Sequence, residues 1–139
     1  MNANSKLVSR KPWAGGLQDS ILAADLISKS SLLQKDRISL IIIDSTLEIA
    51  YKEYLVHEKN IGVHAFKKIF DNRALVQAEV FKSIRIPKKT IQKINYYYKL
   101  RCDLIHERAS PNVNPDEVES YRQIVEGLLK KMFKLDFGQ

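Results

Sequence analysis

Apolar side chains recur at spacings of three and four along most of this chain, the period of helices packed on one face. A first helix is expected over residues 17 to about 30, with Ile21, Leu22, Ala24 and Ile27 available for a core. A long helix is expected over residues 34 to about 58. Its β-branched run Ile41-Ile42-Ile43 taken alone fits a strand, but Leu40, Asp44, Leu47, Glu48, Tyr51 and Leu55 keep helical spacing around it. This helix is apolar over most of its circumference and is expected at the centre of the fold. Asn60-Ile61-Gly62 should end it, glycine being the usual stop. Residues 64–72 and 74–84 predict two shorter helices, and Ile86-Pro87 breaks the chain after them.

Residues 90–108 predict a further long helix, and 109–114 a loop. Asn114-Pro115-Asp116-Glu117 then combines an N-cap asparagine, proline at the first position and acids in the first turn. The final helix should run to about residue 133 with Val118, Tyr121, Val125, Leu128 and Met132 inward. Residues 1–16 carry no period and read as a flexible, turn-rich arm whose Trp13 is expected to dock on the domain. Residues 135–139 read as a fraying tail. The expected architecture is all-α: an up-and-down bundle of four main helices plus short additional ones, within one domain over 17–134.

Arg101 breaks the pattern of the 90–108 helix. At about 100° per residue its apolar arc collects Ile91, Ile94, Tyr97, Tyr98, Leu104 and Ile105, and Arg101 falls near the middle of that arc. A buried guanidinium is normally paired or functional. Asp44 and Glu48, carboxylates within the mostly apolar stripe of the central helix, are its natural counter-charges. A plain salt bridge from Arg101 to one of them is one reading. Glu48 also has Lys52 at i+4 as a local partner. His106 follows at the edge of the arc, about 140° round from Arg101. Asp103, one turn before it, is placed to fix its tautomer or to accept from Arg101 of a neighbouring copy.

Composition narrows the partners. The net charge of +7 is concentrated: residues 67–101 hold ten basic side chains against Asp71 and Glu79, leaving the rest near neutral. Such a cluster fits either a polyanion partner or a solvated lysine-rich face. Lys88, Lys89, Lys93 and Lys99 are the candidate RNA contacts here. Tyr96, Tyr97 and Tyr98 are able to stack bases, although Tyr97 and Tyr98 are expected in the core or an interface. A single cysteine, Cys102, rules out an internal disulfide and reads as a small apolar filler. With no apolar run near 18 residues there is no membrane span, and a cytoplasmic setting is expected. His57 and His64 have no matching acid, so neither a metal site nor a cofactor is expected.

The Arg-x4-His pair at 101 and 106 resembles the motif of HEPN domains. So does the order of elements across residues 17–134: a central helix (RISLIIIDSTLEIAYKEYL), a basic pair of helices, YYYKLRCDLIHERA, a polar loop and a final amphipathic helix. The resemblance implies a homodimer with a composite cleft at its two-fold axis and, in active members, metal-independent endoribonuclease activity. Carried onto this chain, His106 acts as general base or acid at the 2′-hydroxyl or the leaving 5′-oxygen, and Arg101 stabilises charge on the scissile phosphate. The expected product is a 2′,3′-cyclic phosphate. Where many active members have a polar residue after the arginine, this chain has Cys102. Where some carry a modified tyrosine two residues after the histidine, it has Arg108, a candidate phosphate contact. The resemblance suggests a toxin or antiviral defence effector restrained by an antitoxin or regulatory partner. The alternative is a non-catalytic HEPN module that dimerises and binds RNA or protein.

Overall fold

The computed structural model describes residues 3–106 and 112–138, which contain helices and no strand. The helices are α1 (Ala3–Arg10), α2 (Trp13–Ser28), α3 (Lys35–Glu53), α4 (Val63–Lys67), α5 (Arg73–Phe81), α6 (Lys88–His106) and α7 (Pro115–Phe133). The four long elements expected from the periodicity are α2, α3, α6 and α7. None of the described helices is long and apolar enough to cross a membrane.

Helix α3 is the hub, packing against α2, α5, α6 and α7. Leu40, Ile43, Leu47, Ala50 and Tyr51 are fully buried along it at spacings of three and four. The isoleucine run therefore serves a helix, and Ile43 lies in the core while Ile41 and Ile42 pack at its margin. Ser39 is buried too, its hydroxyl donating to the Ala24 carbonyl at 3.0 Å and tying α3 to α2. At its end α3 widens into one π-helical turn, Tyr54–Glu58. Asn60, not Gly62, takes the left-handed conformation that stops it, with φ of 52°. Gly62 is instead the extended N-cap of α4. Helix α7 starts as expected: the Asn114 side chain accepts from the Asp116 amide at 2.8 Å, with Pro115 next.

Both ends of the chain differ from expectation. The residues read as a flexible arm form α1 and the first turn of α2, with Leu7 and Ala14 buried. Trp13 does dock, stacking on His57 with ring centroids 3.8 Å apart. The tail folds back: Leu135 is fully buried, and Asn4 exchanges two hydrogen bonds with the Asp136 backbone. Eight residues of α1 are too few to be stable alone, so these tertiary contacts, invisible to periodicity, decide its state.

Candidate functional site

Asp44 lies in the middle of the buried face of α3 with no exposed surface. A carboxylate there must be fully partnered. Its Oδ1 accepts from Arg73 Nη2 at 3.0 Å and from the Tyr121 hydroxyl at 2.5 Å. Its Oδ2 accepts from Arg101 Nε at 2.9 Å and from Arg73 Nη1 at 3.2 Å. One side chain thus ties α3 to α5, α6 and α7, the three helices that surround it on that side. Glu48, one turn on and facing the same way, brings Oε1 to 3.6 Å from Arg73 Nη1 and 3.5 Å from Arg101 Nη2. Two guanidiniums therefore face two carboxylates, and the cluster is balanced in charge.

Aromatic rings complete the housing. The Arg73 guanidinium carbon stands 4.4 Å from the centroid of Tyr98 and 5.4 Å from that of Tyr51. That of Arg101 stands 5.3 Å from Tyr98. These contacts add cation–π attraction to the ion pairs. Tyr121 stacks on Tyr97 at 4.5 Å. Burial works against the charge on Arg73, but the charge of Asp44 and its hydrogen bonds outweigh it and raise the arginine's pKa. Burial, with the adjacent Asp44 charge, pushes the Tyr121 hydroxyl well above the ordinary tyrosine range. Burial raises Tyr51 as well.

Arg101, Asp44 and Glu48 are brought together as the pattern on α6 and α3 suggested. Arg73 is the member that sequence reasoning missed. It reads as one more basic residue in a basic segment, yet only 6% of its side chain is exposed, less than the 16% of Arg101. No local pattern marks it, since its partner is 29 residues away. Two of the ten cations counted in the basic segment therefore point inward and are neutralised. Ile105, placed on the apolar arc by periodicity, is 47% exposed.

His106 is exposed in the last turn of α6. Among the described residues neither its side chain nor that of Asp103, half-buried one turn earlier, has a hydrogen bond or ion pair, so the expected Asp103–His106 orientation is not found there. Arg37 of α3 reaches across to donate to the Leu104 carbonyl at 2.9 Å, pinning the end of α6 two residues before His106. Lys88, Lys89, Lys93 and Lys99 are all exposed along α6. Arg108 lies outside the described residues. Cys102 is a half-buried free thiol. Among the described residues no group of histidine, cysteine and acid side chains is arranged to hold a metal ion.

Beside the ion cluster, α5 and α6 leave a pocket of about 440 Å³ between them. Arg73, Gln77 and Phe81 line it from α5, and Asn95 and Tyr98 from α6. Tyr51 donates to Gln77 Oε1 at 3.1 Å, and Gln77 Nε2 donates to Asn95 Oδ1 at 3.0 Å. That chain of bonds joins the pocket wall to the core.

Compared with known proteins, the chain matches no family model, no curated protein and no solved structure.

Proposed function

We propose that this chain is a HEPN-type endoribonuclease, working as a homodimer and cutting RNA by attack of the substrate's own 2′-hydroxyl. The observation that carries this reading is the posture of Arg101. Its Nε is bound to Asp44 and its Nη2 faces Glu48, so the side chain is held in one orientation before any ligand arrives. A pre-oriented guanidinium stabilises a developing phosphate charge without reorganising during the reaction. His106, exposed on the same helix, supplies the general acid or base. The two are about 140° apart around α6, which favours a site completed by a second copy. The exposed lysines of α6 hold the RNA backbone. In the cell such an activity fits a toxin or antiviral effector kept in check by a partner.

A second reading has its own support. Arg101 is already satisfied by Asp44, which suits a structural ion pair in a non-catalytic HEPN module that binds RNA or protein.

The deciding experiment is cleavage of a labelled mixed-sequence RNA in EDTA by the wild type and His106→Ala, with analysis of the product ends. The nuclease reading expects EDTA-resistant cutting, 2′,3′-cyclic phosphate ends and their loss in the variant. Absence of cutting, or cutting unchanged in His106→Ala, moves the conclusion to the binding module.

A further inference from the structure

The pocket between α5 and α6 has the size of a small-ligand site. Its wall is mostly carbon, with Phe81 and Tyr98 as aromatic surfaces. The space lies open because α5 and α6 both seat on α3 and do not close on each other.

The polar groups at the pocket select among ligands. Arg73 lines it, yet its charge and that of Arg101 are offset by Asp44 and Glu48. The pocket therefore has no excess charge to attract a bare anion. Gln77 and Asn95 are joined to each other, and Asn95 gives its carbonyl oxygen to that bond. The amide nitrogen of Asn95 is left to donate outward. A ligand that suits these walls is flat, aromatic and uncharged, with hydrogen-bond acceptors on its edge. Those are the properties of a nucleobase.

We infer that this pocket receives one base of a bound nucleotide or RNA strand, stacked against the aromatic wall and read by the Asn95 amide. The inference extends the RNA reading above and supplies its specificity element. Tyr98 lines the pocket and also carries both guanidiniums on its ring. Arg101 follows Tyr98 by one turn of α6, so a base held here lies one turn from the residue that the RNA reading assigns to the scissile phosphate. Lys88, one turn before Ile91 at the other end of the pocket, is exposed for a flanking phosphate.

The test is a binding titration of the full chain with the four nucleoside 5′-monophosphates and with ribose 5-phosphate, which lacks a base, followed by NMR shifts. The same titrations are run on Ala78→Trp and Asn95→Asp. Ala78 is exposed on the pocket rim, so a tryptophan there fills the space without entering the core. Asn95→Asp keeps the oxygen that Gln77 binds and removes the outward donor. The inference expects at least one nucleotide to bind, ribose 5-phosphate not to bind, and each variant to weaken binding by about tenfold or more. It is overturned if no nucleotide binds, if ribose 5-phosphate binds as well as the nucleotides, or if Ala78→Trp binds them unchanged. Base-dependent binding without RNA cleavage would remove the nuclease reading and keep the pocket. Cleavage that depends on His106, with no base binding, would do the reverse.

Discussion

Arg73 and Arg101, 28 positions apart on different helices, both donate to the same oxygen of Asp44, at 3.2 and 2.9 Å. Two cations are held side by side because the carboxylate between them is buried and Glu48 stands beside both. The arrangement locks α5 and α6 against α3 and fixes Arg101.

Asp44→Ala removes the hydrogen-bonded partner of both guanidiniums and leaves them only Glu48, at 3.6 and 3.5 Å. Removing one partner of a buried pair costs about 3–5 kcal/mol. Urea unfolding followed by circular dichroism should show a loss of that order, and a loss below 1 kcal/mol would mean that the cluster is far more hydrated than its burial indicates.

The two arginines should not be equivalent. Arg73 spans both Asp44 oxygens and is the more buried, whereas Arg101 uses one nitrogen. Arg101→Ala leaves Asp44 bonded to Arg73 and Tyr121, so its cost is expected near 2 kcal/mol, roughly that of one charge-assisted hydrogen bond. Arg73→Ala should cost more. A double-mutant cycle measures their coupling, and strict additivity would contradict a shared carboxylate.

His106→Ala offers a separation of function from folding. The side chain is exposed and without partners among the described residues, so stability should change by no more than about 0.5 kcal/mol. RNA cutting should disappear while the melting temperature stays in place. A melting temperature that falls sharply would give His106 a structural role instead.

Alkaline pH should unfold the protein through its buried tyrosines. Burial raises the pKa of Tyr121 and Tyr51 above the ordinary value of 10.0. Above pH 10 the unfolded chain releases these protons and the folded chain keeps them, so stability is full below that pH and falls as pH rises through it. In a phenolate absorbance titration these two of the six tyrosines should ionise only with loss of helix. Their ionisation in a still-helical protein would refute the burial argument.

The exposed lysines of α6 should govern salt dependence and not specificity. Neutralising Lys88, Lys89, Lys93 or Lys99 is expected to lower the slope of log affinity against log salt by about 0.7 per residue for single-stranded RNA. Fluorescence anisotropy across a salt series checks this, and an unchanged slope would place the RNA on another face.

Much of this protein was determined by short-range pattern. Spacings of three and four marked α2, α3, α6 and α7 within a few residues. The Asn114 cap and Pro115 marked the start of α7, because caps act within one turn. Arg101 stands out since a charge within an apolar arc is locally visible, and the same logic offers Asp44 and Glu48 as its counter-charges. What pattern could not supply was anything set by contacts between distant segments. Arg73 looks like a surface cation until α5 is laid on α3. Tyr121 looks like core until its hydroxyl meets Asp44. Residues 3–10 lack a clear period and become helix because Asn4 and Leu7 find partners elsewhere in the fold. The pocket between α5 and α6 is a gap between elements, and no element carries it alone. Periodicity reports which face of a helix is apolar. Only the packing of helices decides which polar groups that face must enclose, and there the cost of an unpaired buried charge selects the arrangement.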